Sequence, residues 1–405
     1  MEYKVQKHLV INGLSLLLAV TGAYSYGIRV DDMDALATAR GNAFTATADN
    51  PSAVYYNPSG ITQIDSPALS VGGYSLRFEV DYRNMDGEKF TNDREFQGVP
   101  HVYFTLPIET TPLTFGFTTH VPFGLENDWP DDTTFSTIAT ESSFRYIRHS
   151  PVIAWEINPQ WSVAAGLTIN DGKADLRRTH PSPFIDEVRL EGRDQTFGYV
   201  VGAHWRPSER HYFGAIYRSR TTFDLEGTMT VGEDRTRAVA EFPFPDIAVI
   251  GYSYRPTEAW NLEFNLDWTN WDVLDTVSVE TEDFGDSDMD FNWKSSLIYK
   301  FGVTHTLPSG YRLSAGYMFS ENSIPDRNFS PSVPDSDRHL ASIGVGYVED
   351  RFHWDIAYQF GYSTTRNVRD SENPPPAGFP APIETADGEY RSIVHAVAAT
   401  ATYRF

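Results

Sequence analysis

Trp260-Asn261-Leu262-Glu263-Phe264-Asn265-Leu266-Asp267-Trp268 alternates without a break. Trp260, Leu262, Phe264, Leu266 and Trp268 share one face of an extended chain, and Asn261, Glu263, Asn265 and Asp267 share the other. A period of two is the mark of a β-strand whose faces meet unlike surroundings. Phe352 to Tyr362 repeats the pattern, with Phe352, Trp354, Ile356, Tyr358, Phe360 and Tyr362 set against His353, Asp355 and Gln359. So does Tyr311 to Phe319, whose Tyr311, Leu313, Ala315, Tyr317 and Phe319 oppose Arg312, Ser314 and Gly316. A soluble sandwich of this size needs far more apolar residues on its inner faces than one aromatic stripe per strand. A barrel in a membrane needs only that stripe, because lipid covers one face and a polar lumen the other.

The connections support closure. Thr110-Thr111-Pro112, Asn158-Pro159-Gln160, Pro207-Ser208-Glu209, Pro256-Thr257-Glu258, Pro308-Ser309-Gly310 and Glu349-Asp350-Arg351 are tight turns. Between them lie longer polar stretches near 84–97, 123–141, 179–194, 229–241, 281–291, 321–337 and 369–388. Pairing the two kinds predicts an all-β, antiparallel transmembrane barrel of about fourteen strands over residues 68–405, with both ends on the short-turn side. Closure also removes the exposed edges of a long sheet. Trp155, Trp161, Trp205, Trp260, Trp268, Trp271 and Trp354 fall near strand ends, where barrels place interfacial girdles.

Composition agrees. The chain has 405 residues and no cysteine, which excludes disulfides, thiolate nucleophiles and Cys–metal sites. A formal charge of −23 argues against nucleic acid, whose phosphates must be met by Lys and Arg. The mean hydropathy of −0.38 excludes a helical membrane protein but not a barrel. Residues 1–25 read as a signal peptide, with Lys4 and Lys7, an apolar run from Leu9 to Val20, and Ala23-Tyr24-Ser25 before the cut. The other reading is an N-terminal anchor, for which the run is short. Neither a cofactor nor a resident metal is expected; a lipid enzyme would need a nucleophile with a positioned base, and the sequence has no Gly-x-Ser-x-Gly and no His-Glu-x-x-His. Asp283, Asp286, Asp288 and Asp290 could hold divalent cations beside lipopolysaccharide, or simply form a solvated loop.

Between the signal and the first strand, residues 26–67 form a separate segment. Asp34 to Thr47 reads as a short helix with Leu36, Ala39, Ala43 and Ala46 on one face. Asp49 to Gly60 contains two turn-initiating pairs, Asn50-Pro51 and Asn57-Pro58. So compact a piece has no core of its own and must pack inside something larger.

These features resemble the FadL-type long-chain fatty acid transport family (OmpP1/FadL/TodX) over essentially the whole mature chain. The resemblance rests on Gly41-Asn42-Ala43-Phe44 through Asn57-Pro58-Ser59-Gly60, which looks like the family's hatch with its Asn-Pro-Ala motif, here with Ser59 third. It rests also on Val121-Pro122-Phe123-Gly124-Leu125, on Phe244-Pro245-Asp246 leading to Trp268-Thr269-Asn270-Trp271, and on Ile324-Pro325-Asp326 through Val333-Pro334-Asp335-Ser336-Asp337-Arg338. It implies a hatch at 26–67, a gate motif at Asn57, Pro58 and Ser59, and an inward kink with a lateral opening at Pro122, Phe123, Gly124 and Leu125. Asn57 is then expected against that kink, meeting backbone groups left unpaired there. Arg145, Arg312 and His353, with Glu263, Asp267 and Asp355, read as luminal charges, either ligand contacts or charge compensation. The implied function is passive uptake of hydrophobic molecules, fatty acids or hydrocarbons, across the outer membrane; the alternative is a general porin. Implied partners are such molecules, outer-membrane lipid, lipopolysaccharide and, through the terminal aromatic Phe405, the barrel-assembly machinery, with a monomer as the state. The family's outer capture groove needs long loops; those at 179–194 and 229–241 are short, and Pro181, Pro183, Phe184 and Ile185 offer a small apolar patch at most.

Overall fold

The computed structural model describes residues 29–93, 96–180, 182, 185, 187–372 and 385–405. The signal-peptide reading of 1–25, and Pro181, Pro183 and Phe184, lie outside them. The described chain closes into a barrel of fourteen antiparallel strands. These are β1 (Ala68–Arg83), β2 (Lys89–Thr91 and Phe96–Pro107), β3 (Leu113–Asp128), β4 (Glu141–Asn158), β5 (Trp161–Thr179), β6 (Glu187–Ser208) and β7 (His211–Arg218 and Thr221–Val231). They continue with β8 (Asp234–Phe244 and Ile247–Thr257), β9 (Trp260–Thr269 and Thr276–Thr281), β10 (Ser287–Asp290 and Ser296–Thr306) and β11 (Tyr311–Ser320). The last three are β12 (Arg338–Val348), β13 (Phe352–Ser363 and Arg366–Val368) and β14 (Gly388–Arg404). Each strand pairs with the next, and β14 returns to β1 from Ala68↔Arg404 to Arg83↔Glu389. Among the described residues no helix is long and apolar enough to span a membrane; the strands do so.

The lipid belt is legible strand by strand. On β5 the outward residues Trp161, Val163, Ala165, Leu167 and Ile169 give way to Asp171, Lys173 and Asp175. Trp161 to Ile169 is close to the roughly 9–11 residues a tilted strand needs to cross the hydrocarbon layer. The neighbour β6 runs in register, with Trp205 opposite Trp161, Phe197 opposite Ile169, and Arg193 opposite Lys173. Leu167 is 66% and Phe197 67% exposed, positions stable only against lipid. Above this level the wall continues outside the bilayer, laced by Arg189–Asp175 (2.6 Å) and Arg177–Glu141 (2.9 Å).

Here two expectations fail. The stretch at 229–241 is no loop: β7 and β8 form a hairpin across Gly232-Glu233. In place of loops that carry a groove, the strands themselves extend outward. And the helix expected over 34–47 covers only Ala35–Ala39, capped by Asp34, because Gly41 and Asn42 both take left-handed backbone (φ 58° and 60°) and turn the chain.

Residues 29–67 occupy the lumen as three short helical pieces, Ala35–Ala39, Ala53–Tyr56 and Pro58–Gln63. They sit on luminal glycines. Gly251 of β8 pairs with Gly214 of β7, and Gly302 of β10 with Gly316 of β11. A Cβ at Gly214 or Gly316 would overlap the backbone of Thr45 or of Arg40-Gly41. Glycine here is a seat, letting the inner segment's main chain lie against the wall. Gly316→Val is expected to lift the segment from the wall, making it cleavable by added protease while the barrel keeps its heat-dependent gel mobility. A segment as resistant as wild type would count against the seat.

Candidate functional site: a kinked strand, a strap and an aromatic cavity

β2 and β3 pair from Pro107↔Thr114 up to Val102↔Thr119, and then their ladder stops. Between His120 and Phe123 the register of β3 against β4 slips by one residue, a bulge that falls on Val121-Pro122. Pro122 has no N–H to give, so the ladder cannot run through it. Across the resulting slot, β2 continues on the β1 side only, with Phe96 73% exposed. Higher up, Asp93 N donates to Asp128 O (2.9 Å) and Asn92 Nδ2 to Asn127 Oδ1 (3.1 Å), closing the wall again.

The slot is stopped from inside by the first described residues. Val30 N donates to Pro122 O (3.0 Å), and Arg29 forms an isolated antiparallel bridge with Phe123. We call Arg29 to Met33 the strap. Buried charges hold its start. Arg29 is bidentate to Asp267 of β9 (2.6 and 2.9 Å) and meets Asp31 (2.8 Å), while Lys300 of β10 reaches Asp267 (2.7 Å) and Asp31 (3.0 Å). Hydroxyls hold the rest. Tyr56 OH donates to Asp31 O (2.9 Å) and accepts from Met33 N (3.1 Å), and Tyr103 OH donates to Met33 O (2.5 Å). Burial pushes the Asp32 carboxyl up to about 6, although Asn42 (2.8 Å) and Gln359 (3.0 Å) donate to it. The strap is enclosed, with Asp31 and Asp32 both buried.

Asn57-Pro58-Ser59 lies elsewhere, which corrects the expectation that Asn57 serves the kink. Asn57 Nδ2 donates to Thr45 O and to Ala203 O of β6 (both 3.0 Å). Its Oδ1 accepts from Ser59 Oγ (2.6 Å), and Ser162 of β5 donates to Ser59 O (2.9 Å). The motif fastens the inner segment to the wall, and the extra hydroxyl of Ser59 is absorbed locally. The kink's free carbonyl goes to Val30 instead.

Above the strap, Phe123 packs against Phe244 (4.9 Å), Tyr146 (5.3 Å) and Trp271 (6.0 Å). Beyond this aromatic block is a cavity of about 220 Å³. Leu125, Phe144, Leu225, Met229, Phe242, Phe244, Met289 and Trp293 line it, together with polar and charged residues that include Ser142, Arg178, Glu191 and Asp290. The volume exceeds an apolar cavity of roughly 150 Å³ that admits benzene, and falls below the about 300 Å³ at which pockets for larger ligands begin.

The luminal charges divide. Arg312 does face inward, bound to Asp355 (2.6 Å), and His353 is buried, but both lie toward the short-turn end, far along the chain from the cavity's lining. Arg312 is balanced by Asp355, and neither Arg312 nor His353 lines the cavity. Arg145 contradicts the expectation outright: it is exposed, on the face of β4 opposite to Phe144 and Tyr146. That part of β4 stands above the bilayer, where water is outside and the apolar cavity inside, so the alternation keeps its period and reverses its meaning. Among the described residues no three His, Asp or Glu are placed to hold a metal; Asp288 and Asp290 accept instead from Ser278 (2.7 Å) and Thr276 (3.1 Å).

A closed barrel with a stopped lumen, an apolar chamber and a slot in its wall defines an outer-membrane transport protein. The family model for outer membrane protein transport proteins (OMPP1/FadL/TodX) matches residues 16–405, and the chain belongs to that family. It is 22% identical to the long-chain fatty acid transport protein of Salmonella typhi, over 90% of this chain and 93% of that one. Its fold is similar to a solved Pseudomonas aeruginosa FadL homologue (TM-score 0.83, 16% identity, 94% and 100% of the two chains). It is similar also to the Pseudomonas putida toluene transporter TodX (TM-score 0.73, 14% identity, 92% and 98%).

Proposed function

We propose that this outer-membrane protein carries hydrophobic molecules, fatty acids or hydrocarbons, from the outer chamber sideways into lipid through the slot between β2 and β3. The observation that supports this best is the continuity of aromatic packing from the chamber through Phe244 to Phe123, the residue the strap bridges. An apolar solute crossing that way never meets bulk water, which is where its transfer free energy would oppose it. Residues 29–67 act as the hatch, and Phe123 with Gly124 and Leu125 as the wall side of the gate. A general porin is not favoured, because a filled lumen leaves hydrophilic solutes no aqueous path. The family is one of transporters, and no catalytic role is assigned.

The remaining partners follow from position. Phe405 N is tied to Pro67 O (2.9 Å) while its ring stays exposed at the barrel's lower rim, available to assembly machinery. The charged band above the belt meets lipopolysaccharide, and the closed sheet lets a single chain work as a monomer. Expression in an envelope lacking other such channels should raise uptake of a labelled alkane or fatty acid severalfold, without raising uptake of a sugar. Equal rates with and without the protein would overturn the reading.

A further inference from the structure

The outer chamber has a ceiling. Residues 321–337, between β11 and β12, leave the outer ends of those strands and cross the lumen to β3 and β4, with β13, β14, β1 and β2 lying between around the ring. Ile324, Asn328, Ser330, Ser332 and Val333 of this stretch line the chamber. Its two anchorages differ in kind. At the base, Arg366 of β13 donates to Asp326 (2.7 and 3.0 Å), to Asn322 Oδ1 (3.1 Å) and to the carbonyls of Ile324 (2.5 Å) and Asp335 (2.7 Å). The same guanidinium lies 4.8 Å over the Phe329 ring. On the far side, neutral groups hold the tip, Ser330 to Val333. Asn127 Nδ2 (2.8 Å) and Trp129 Nε1 (3.0 Å) both donate to Pro331 O, and Ser142 Oγ donates to Ser332 Oγ (2.8 Å). Charge-assisted bonds are roughly twice as strong as neutral ones, so the tip lets go before the base. Behind the tip Trp129 packs on Phe135 (5.1 Å) and Tyr82 (6.4 Å), an aromatic group that a lifted tip uncovers.

Asn127 also faces the slot. Its Oδ1 accepts from Asn92 Nδ2 (3.1 Å), and Asn92 Oδ1 accepts from Val80 N of β1 (2.8 Å). This chain of amides, with Asp93 N to Asp128 O, closes the slot at its upper end. One side chain, 3% exposed, therefore holds the tip with its nitrogen and the slot with its oxygen. When the tip leaves, the Asn127 nitrogen loses its acceptor and turns to water. Nitrogen and oxygen share one rigid amide plane, so that turn draws the oxygen off Asn92. Resting on the transport function proposed above, we propose that cargo enters where the tip meets β3 and β4, and that Asn127 is the positioning residue that couples this entrance to the slot. A docked tip keeps the upper end of the slot shut. An apolar molecule that lifts the tip loosens that end as well, and linkage makes the effect mutual. One movement loads the chamber and frees the way out of it.

The test uses Ser142→Cys with Ser332→Cys. Their hydroxyl oxygens lie 2.8 Å apart, close to the roughly 2.05 Å between two bonded sulfurs, in a chain with no cysteine of its own. Uptake of labelled dodecane is measured in an envelope lacking other such channels, and hydrogen exchange at the Asp93 amide is followed on the purified barrel. Oxidation should cut uptake at least about tenfold and slow Asp93 exchange at least about fivefold, and reduction should restore both. Each single cysteine should respond to neither treatment. Adding Asn127→Leu should leave uptake sensitive to oxidation while Asp93 exchanges alike in the two states, a separation that a merely structural role for Asn127 does not produce. Equal uptake in the two redox states overturns the proposal. So does a pair that never oxidises, because the tip is then not docked on Ser142. Redox-sensitive uptake with unchanged Asp93 exchange overturns the coupling through Asn127. If the unsubstituted barrel takes up no dodecane, the transport reading is what fails, while exchange at Asp93 still reports whether the tip holds the slot.

Discussion

A barrel carrying Arg29→Cys and Phe123→Cys should stop transporting when oxidised and recover when reduced. The two residues face each other across an antiparallel bridge whose neighbouring bond is Val30 N to Pro122 O, the closely spaced type with Cα atoms about 4.5 Å apart. A disulfide spans Cα separations of about 4.4–6.8 Å, so the bond needs little movement. The protein has no cysteine of its own, so no other pairing competes. Each substitution alone has a cost. Arg29→Cys leaves Asp31 and Asp267 to Lys300, and Phe123→Cys opens a hole beside Phe244 and Trp271. The comparison that decides is therefore the same variant in two redox states. Uptake at least about tenfold lower in the oxidised form would mean that the strap must leave the kink for cargo to pass. Equal uptake in both states would mean that cargo goes around it, and the slot would lose its role.

The fold was legible because the membrane imposes one rule on every strand. Trp260 to Trp268 and Phe352 to Tyr362 face lipid and lumen in turn, and that alternation, with tight turns on one side, is enough to give fourteen strands and an all-β barrel. The site was legible only in part, for the same reason. Above the belt the rule inverts: Tyr74, Leu76, Phe78, Val80 and Tyr82 of β1 are buried inside while Arg77, Glu79 and Arg83 face out. The period does not change, so nothing local marks the crossover, and Arg145 is misread as luminal. Counting parity along β4 from Trp155, which must face lipid, would have placed it outside. Glu263, Asp267 and Lys300 needed the closed barrel to show their partners, because Arg40, Arg29 and Asp31 come from more than two hundred residues away in sequence. The seat of glycines was invisible, since its meaning is an absence of side chain where another backbone arrives. Tyr55 and Tyr56 lay in plain view between the two Asn-Pro pairs, but only the path of the strap shows what their hydroxyls hold.

Glu263→Ala should turn the stopped barrel into one that leaks hydrophilic solutes. Glu263 projects from β9 into the lumen and is fully enclosed. Its carboxylate accepts from the backbone N–H groups of Ala46 (2.7 Å) and Thr47 (2.9 Å), from the Thr47 hydroxyl, and from Arg40 Nη2 (3.3 Å). One side chain thus fastens the turn that follows Phe44 and balances the one arginine of the helix exit. Removing it strands two backbone donors and leaves a buried guanidinium with only Thr304 Oγ1 (3.0 Å), Ala43 O (3.0 Å), Thr47 and Asn261 as neighbours. Breaking a buried ion pair by deleting one partner costs on the order of 3–5 kcal/mol, which is most of what a small packed segment has to lose. The barrel's ladders do not pass through Glu263's side chain, so the wall should survive while residues 29–67 detach. In a planar bilayer, wild type should show little steady conductance and the variant openings of porin-like size. Glu263→Gln is the control that separates charge from shape: it keeps an acceptor for one backbone N–H but cannot balance Arg40, and should leak to an intermediate degree. A Glu263→Ala barrel that stays as tight as wild type would mean that the glycine seat and the Asn57 bonds to Thr45 and Ala203 are sufficient to keep the lumen shut.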